Sequence, residues 1–260
     1  MADNAFPVIL AENIYELGTP VATDTASGYD AANIKDRRTY TFWQAASAGT
    51  KYLTIDCLIA VTADALGIVS HNLSTCAATI SVECSSDNFA TDTTVALAGF
   101  TVTHDKALLK LFTSVSKRYW RIKIIAGAIA PKIAVAFLGD RVTFPRTYLK
   151  SLSFDPAPEK IIAESTRSKT GVLLGNVLRY VSRTITWTFA FVLASWIEST
   201  FRGLWDDYLS QLKPVFMAWE ITNHPTETFY GKIPDDFQLT MPYDVMGRRT
   251  ITLTFEVIKE

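Results

Sequence analysis

Residues that build metal centres, disulfide frameworks and acid–base catalysts are scarce in this chain. Its 260 residues include three cysteines and three histidines. Cys57, Cys76 and Cys84 show neither C-x-x-C spacing nor histidines in a zinc-ligand pattern. Cys57 and Cys84 each end a predicted strand, which favours reduced, buried thiols over a disulfide framework. No metal ion and no cofactor is therefore expected.

An excess of charge of one sign is also missing. The chain has 25 basic and 26 acidic residues and a net charge of −1. Basic pairs at residues 117–118 and 248–249 are short and lie within or beside predicted strands. This balance indicates neither sequence-specific nucleic-acid binding nor attraction to an anionic membrane.

Long apolar runs are absent as well. No run reaches the roughly 18 residues that a membrane helix needs. The N-terminus, MADNAFPVILAENIYELG, lacks the basic segment of a secretory signal. We therefore expect a chain that is made in the cytoplasm and does not insert into a membrane.

The common catalytic and nucleotide-binding motifs do not occur, and titratable groups do not converge. The acidic pair Asp206–Asp207 lies on a predicted helix, where neighbouring side chains diverge by about 100°, so the pair does not suit glycoside hydrolysis. The three histidines lie in separate segments: His71, His104 and His224. The sequence thus predicts a protein that is not an enzyme.

Alternating sequence, in contrast, is abundant. In residues 180–192 (YVSRTITWTFAFV), apolar side chains alternate with serine and threonine, and residues 250–257 (TITLTFEV) repeat the pattern. Side chains alternate across a strand, so each strand has one apolar and one hydroxyl-rich face. At roughly 3.3 Å per residue, 180–192 would span about 43 Å, which is longer than most strands. Such a strand suits a sheet that joins neighbouring molecules or lines a lumen.

Between these strands, residues 196–212 predict an amphipathic helix. Ser195 and Glu198 have the spacing of a capping box, and Pro214 ends the pattern. Residues 155–178, with prolines at the start and glycines at the end, predict an extended loop. The order indicates an α+β domain over 146–260, with long antiparallel strands and one helix.

The region before it predicts a β-sandwich. No helical period occurs between residues 40 and 140, and short strand patterns alternate with turn residues. The predicted strands are 52–57, 66–70, 78–84, 108–112, 119–125 and 133–138. The chain as a whole is expected to be mainly β, with a jelly-roll sandwich over residues 1–145.

Four passages of this first half carry a family resemblance through their order. They are 33–36 (NIKD) with 41–43 (TFW), 52–56 (YLTID), 71–73 (HNL) with 78–82 (ATISV) and 86–87 (SD), and 119–123 (YWRIK). In this order they resemble the discoidin-like, or galactose-binding-like, jelly rolls, especially those of bacteriophage tail proteins. The resemblance covers about residues 8–142 and implies ligand-binding loops at one end of the sandwich, with aromatic faces for stacking.

The second half is similar in element order to the tail-tube fold of phage tube, distal tail and hub proteins. In that fold, long strands from each subunit close a ring around the DNA channel and a helix packs outside. Common distal tail proteins place the tube-like domain first, whereas the order here is reversed.

Together the resemblances imply a structural protein of a long-tailed phage tail tip or baseplate, located in the virion. Its C-terminal domain would form a hexameric or trimeric ring continuous with the tail tube. Its jelly roll would hold hub or baseplate proteins or host surface polysaccharide. The alternative interpretation is a carbohydrate-binding receptor-recognition protein of the tail.

Two sets of residues are candidates for these roles. The candidate sugar-binding residues lie in predicted loops: Tyr29, Trp43, Ser86, Asp87 and Asn88. Trp43 has a competing interpretation as a core residue. The candidate residues for contact between copies lie on the 155–178 loop and the long strands: Lys160, Arg167, Lys169, Leu173, Tyr180, Thr184, Thr186, Thr252 and Thr254.

Overall fold

The computed structural model describes residues 6–147, 158–243 and 247–258, and within them the chain is mainly β. The strands are β1 Val8–Leu10, β2 Val21–Ala22, β3 Trp43–Gln44, β4 Gly49–His71, β5 Thr79–Ser85, β6 Thr94–Thr101, β7 Leu108–Ala126, β8 Lys132–Gly139, β9 Val142–Thr143, β10 Glu159–Arg167, β11 Leu173–Val192, β12 Val215–Ala218, β13 Thr228–Lys232 and β14 Arg249–Val257. Short 3₁₀ helices span Ile14–Leu17 and Ala31–Lys35. No helix in the described ranges combines the length and apolar character needed to cross a bilayer.

The chain divides into two compact units. Unit 1 comprises Met1–Phe144 and Val215–Thr228, and unit 2 comprises Pro145–Pro214 and Phe229–Glu260. The predicted second domain was continuous from 146 to 260, so its segment 215–228 was misplaced. The physical reason is that β12 pairs antiparallel with β1, which places a wholly buried strand, VFMA, inside unit 1.

Unit 1 is a jelly-roll-like β-sandwich. Its larger sheet has the order β3-β8-β4-β7-β5-β6, with β2 on β4, and β1 pairs with both β9 and β12. All of these pairings are antiparallel. The core contains tryptophan and aliphatic side chains, including Trp43 of β3, Leu53 and Ile55 of β4, and Trp120 and Ile122 of β7.

Two strands are much longer than predicted. The predicted strands 52–57 and 66–70 are parts of β4, and 108–112 and 119–125 are parts of β7. The β4–β7 register shifts between Asp56 and Val61, and Leu58 adopts a φ of 63°. A bulge bends a strand without ending it, so β4 continues through residues 58–65, which the prediction left between two strands.

In unit 2 the sheet order is β10-β11-β14-β13. The predicted alternation is confirmed for β14 and for residues 185–189 of β11. It is wrong at Phe191, which was predicted on the apolar face and is 46% exposed, because the register shifts between Phe189 and Val192 and Phe191 has a φ of 58°. Trp187 pairs with Leu253 on the buried face, and Thr186 pairs with Thr254 on the other face. The hydroxyls of Thr186 and Thr254 lie 3.1 Å apart. The apolar face of both strands thus forms the core of the unit.

The predicted helix is present at residues 194–209 as four successive turns. They are α-helical Ala194–Trp196, π-helical Ile197–Phe201, α-helical Arg202–Leu204 and π-helical Trp205–Leu209. The predicted capping box is wrong, because the N-cap is Leu193 and no side chain caps the helix. Ser195 lies inside the first turn instead. The helix buries one apolar stripe: Ile197, Phe201, Leu204 and Leu209.

The predicted extended loop 155–178 is also wrong wherever the structure describes it; residues 155–157 lie outside the described ranges. Strand β10 pairs with β11 to form a hairpin. At its turn, the Val172 carbonyl accepts a hydrogen bond from the Ser168 amide at 2.8 Å, and Gly171 has a φ of 86°. Ion pairs of 2.6 Å between Glu159 and Arg183 and of 2.5 Å between Glu164 and Arg179 cross the two strands.

Replacing Trp187 by alanine tests the core of unit 2. The ring is 2% exposed and packs edge-on against Phe255 with centroids 5.8 Å apart. We expect Trp187→Ala to lower the unfolding free energy of unit 2 by about 3–5 kcal/mol, because it leaves a cavity. Thr186→Ala, on the opposite face of the same strand, should cost less than about 1 kcal/mol. Urea denaturation followed by circular dichroism measures both, and equal losses would contradict the assigned faces.

Candidate functional site

Trp43 cannot serve as a sugar-stacking platform. Its side chain is fully buried, with 0% exposure. Its indole Nε1 donates to the Asp24 carbonyl and the Thr25 hydroxyl, both at 3.3 Å. The prediction that it binds sugar is corrected accordingly, and the competing interpretation as a core residue is the one observed.

The loop after β5 uses its carboxylate to hold itself in shape. The Asp87 carboxylate accepts hydrogen bonds from the Thr91 hydroxyl at 2.6 Å, from the Thr91 amide at 2.8 Å and from the Ser85 hydroxyl at 2.8 Å. These bonds, first from Thr91 and then from Ser85, hold the pKa of Asp87 well below its usual range. The Ser86 hydroxyl accepts from the Lys117 ammonium at 3.0 Å, and Asn88 is exposed at a φ of 59°.

Tyr29, unlike Trp43, is accessible to solvent. It is 38% exposed and stacks on Phe42, with ring centroids 4.8 Å apart and an interplanar angle of 20°. The Lys132 ammonium lies 5.3 Å from the centre of the Phe42 ring. Backbone bonds hold the loop, since the Ala26 amide donates to the Gln44 carbonyl at 2.9 Å. We call this arrangement the Tyr29–Phe42 stack.

Sequence reasoning missed Phe42, although a signal was present. Phe42 immediately precedes the strand residue Trp43, and successive side chains in extended chain point to opposite faces. Once Trp43 is assigned to the core, Phe42 is expected on the outside. The structure places it there, partly exposed.

The predicted sugar-binding residues do not form one site. Tyr29 lies beside the start of β8, because Gln44 pairs with Lys132 and the Gln44 amide donates to the Tyr29 carbonyl at 3.5 Å. Residues 86–88 follow the far end of β5, after Ser85. The two groups lie at opposite ends of the sandwich.

A further cluster lies on the outer face of the larger sheet. The Arg121 guanidinium lies 4.3 Å from the ring centre of Tyr52 and 3.9 Å from that of Phe89. It also pairs with the buried Glu83 at 2.5 Å, and Lys123 approaches Glu83 at 3.3 Å. Because Arg121 and Lys123 both pair with Glu83, that carboxylate has little capacity left for a ligand.

The predicted contact residues of unit 2 fall into two groups. Five lie exposed on the β10–β11 hairpin: Lys160, Arg167, Lys169, Leu173 and Tyr180. Four lie on the threonine face of β11 and β14, where Thr186 is exposed and the others are half-buried: Thr184, Thr186, Thr252 and Thr254. Sequence reasoning missed five exposed apolar side chains of the same hairpin: Ile161, Val172, Leu174, Val177 and Leu178.

Burial leaves His71 inaccessible to a substrate or ligand. Its side chain is 0% exposed, Nε2 lies 3.0 Å from the Lys106 carbonyl, and Nδ1 accepts from the Leu73 amide at 3.2 Å. These partners assign the proton to Nε2. Burial lowers the pKa of His71 to about 4, although Asp105, 3.7 Å away, opposes that shift.

The cysteines are likewise unreactive. All three are buried and free, and burial raises the pKa of Cys57 to about 12 and that of Cys84 to about 11. Among the described residues, no group of three or more histidine, cysteine or acidic side chains is arranged to hold a metal ion.

Comparison with known proteins gives structural likenesses only. No family model and no curated protein matches the chain. The chitosan-binding module 1 of a Paenibacillus sp. IK-5 chitosanase/glucanase is 16% identical, with a TM-score of 0.42 over 49% of this chain and 98% of the module. A pectin-binding carbohydrate-binding module is 20% identical, with a TM-score of 0.41 over 50% and 91%. A Clostridium perfringens CBM32 module bound to GalNAc-β-1,3-galactose is 9% identical, with a TM-score of 0.42 over 50% and 99%. All three TM-scores are below 0.5, and the ligands named are those of the three modules.

The burial of His71 predicts an acid-sensitive stability. Between pH 6.5 and about 4, the unfolded chain binds a proton at His71 that the folded chain does not, so stability falls as the pH falls through this window. The loss attributable to His71 should reach at most about 3 kcal/mol. Urea denaturation at pH 7, 6, 5 and 4 should show a shallower decline for His71→Gln than for the unmodified protein. Identical declines for the His71 variant and the unmodified protein would contradict the assignment.

Proposed function

We propose that unit 1 binds a carbohydrate through the Tyr29–Phe42 stack. The observation that carries this proposal is a pair of parallel aromatic rings held at the surface beside an exposed ammonium group. Sugar rings have an apolar C–H face and a rim of hydroxyls, so protein sites for them combine an aromatic face with a few polar groups.

The chemistry of the stack fits a single sugar unit on an exposed chain. The exposed ring of Tyr29 would contact the apolar face of a pyranose, and Phe42 would hold that ring in place from behind. Lys132 would donate to ring hydroxyls or to the carboxylate of an acidic sugar. No acid–base pair is part of this arrangement, so we propose binding without hydrolysis.

A second candidate function is that of a homo-oligomeric structural subunit, as the resemblance to phage tail proteins implies. The observation that favours self-association is the exposed apolar surface of the β10–β11 hairpin. In this role the protein would be made in the host cytoplasm and reside in the virion, at a tail tip or baseplate. The two functions are compatible, because they use different units.

Carbohydrate binding is tested with the full-length protein on a glycan array, followed by titration calorimetry with the strongest ligand. We expect Tyr29→Ala to weaken binding about tenfold, which corresponds to about 1.4 kcal/mol, because the stacking surface is lost. Tyr29→Phe should bind within about threefold of the unmodified protein, since it keeps the ring.

The matched control is Tyr243→Ala, which removes a tyrosine that is 64% exposed in unit 2. It should leave the affinity unchanged. Binding that survives Tyr29→Ala but is lost in Asn88→Ala would move the site to the loop after β5 and contradict the proposal. Absence of binding across the array would contradict carbohydrate recognition altogether.

A further inference from the structure

The β10–β11 hairpin exposes more apolar surface than a solvated strand pair normally carries. Seven of its large apolar side chains are each more than half exposed: Ile161, Val172, Leu173, Leu174, Val177, Leu178 and Tyr180. Contiguous exposed apolar surface of this kind marks an interaction site.

The apolar side chains occupy both faces of the hairpin. Ile161 pairs with Val181, and its neighbour Ile162 pairs with Tyr180 on the opposite face. Ile161 is 69% exposed, so burial against its own sheet does not account for its apolar character. A second strand alongside β10 would place side chains next to Ile161 on one face and next to Ile162 on the other.

Strand β10 is the last strand of its sheet in the described part of the chain, with β11 on one side. The N–H and C=O groups of alternate residues point away from β11, and such an edge is a template for another strand. Register shifts in the pairing skip residues of β11, namely Arg179 and Leu174, so β10 itself runs without a bulge. Residues 160–167 of β10 therefore form a regular strand along this edge in the described part of the chain.

We propose that two copies of this chain pair β10 to β10, antiparallel, about a two-fold axis at Ile162. In this register Ile162 faces Ile162 of the second copy, and Ile161 faces Ala163 of the second copy. Lys160 faces Glu164 of the second copy, and the symmetry repeats this opposite-charge pair. Side chains directly opposite in antiparallel strands are about 4.5–5.5 Å apart and interact favourably when apolar or oppositely charged.

Backbone geometry and side-chain chemistry select this register. Directly opposite residues of an antiparallel pair either both point their hydrogen-bonding groups at each other or both point them away, so self-pairing of one strand requires two residue numbers with an even sum. Moving the axis to Ile161 sets Lys160 against Ile162. Moving it to Ala163 sets Ile162 against Glu164. Of these three axes, only the one at Ile162 combines apolar pairs with the Lys160–Glu164 pairs.

This inference rests on the second candidate function, self-association through unit 2, and specifies its contact. A two-fold contact uses the same edge of both copies and therefore closes at two. A ring requires two different surfaces on each copy. The number of copies thus separates this contact from the predicted hexameric or trimeric ring.

Charge reversal in the full-length protein tests the register by sedimentation velocity. We expect Lys160→Glu, which would face Glu164, to raise the dimer dissociation constant at least tenfold. Glu164→Lys, which would face Lys160, should do the same. The double variant Lys160→Glu/Glu164→Lys re-creates two opposite-charge pairs and should return to within about threefold of the unmodified protein.

Two features of the hairpin make this test specific. Glu164 also pairs with Arg179 of its own hairpin, and that pair is more than half exposed. The double variant keeps the loss of that internal pair, so its rescue reports on the contact between copies. Lys169→Glu, which makes the same charge change at the exposed turn outside β10, should leave the dissociation constant unchanged.

A second measurement, chemical crosslinking, tests the position of the two-fold axis. Because the three native cysteines are buried, Ile162→Cys adds one accessible thiol at the axis. A short bis-maleimide should link two copies through it, whereas Thr166→Cys, four residues from the axis, should give little linkage. Far-UV circular dichroism confirms that each variant is folded.

Three outcomes overturn the inference, and they have different consequences. A protein that is monomeric at all concentrations removes both this contact and the second candidate function. An assembly of three or more copies removes the two-fold contact but leaves self-association standing. A dimer in which the double variant shows no rescue, and the Ile162→Cys variant no linkage, places the interface elsewhere.

Discussion

Side chains of successive strand residues point to opposite faces, and both units of this protein depend on that constraint. In unit 1 it buries Trp43 and turns Phe42 outward. In unit 2 it buries Trp187 and leaves Thr186 at the surface. The same alternation that builds each core therefore also selects the side chains available to a ligand or a second copy. Strands buried on both faces, such as β12, and the β10–β11 hairpin depart from it, and the hairpin does so with exposed apolar residues on both faces.

Burial removes His71 and all three cysteines from solvent. His71 has both ring nitrogens engaged, and the cysteines lie in the core with raised pKa values. The carboxylate of Asp87, on a partly exposed residue, is engaged by its own loop. What the surface offers instead is shape and apolar contact, as in the Tyr29–Phe42 stack. Recognition is consequently the function that we propose, at one site for a sugar and at another for a second copy.

The two proposed sites have different physical requirements. A sugar platform needs one rigid ring with water-exposed surroundings, and the Tyr29–Phe42 stack supplies it through side chains on a short backbone-bonded loop. A strand edge needs a regular backbone and complementary side chains, and β10 combines a backbone without a bulge with the complementary residues 160–164. If both sites operate, each dimer would carry two sugar sites, and binding to a repetitive glycan would gain avidity wherever both sites reach it.

Local pattern determined the mainly β character, the faces of β11 and β14, and the position of the helix, because periodicity is a property of neighbouring residues. Tertiary pairing decided the rest. Residues 159–178 lie in a hairpin because β10 pairs with β11, and Val215–Ala218 belongs to unit 1 because it pairs with β1. Strand β4 is continuous through the bulge near Leu58, where the sequence pattern predicted two separate strands. The placement of Val215–Ala218 and the continuity of β4 depend on strands far away in the sequence, and no window of adjacent residues contains that information.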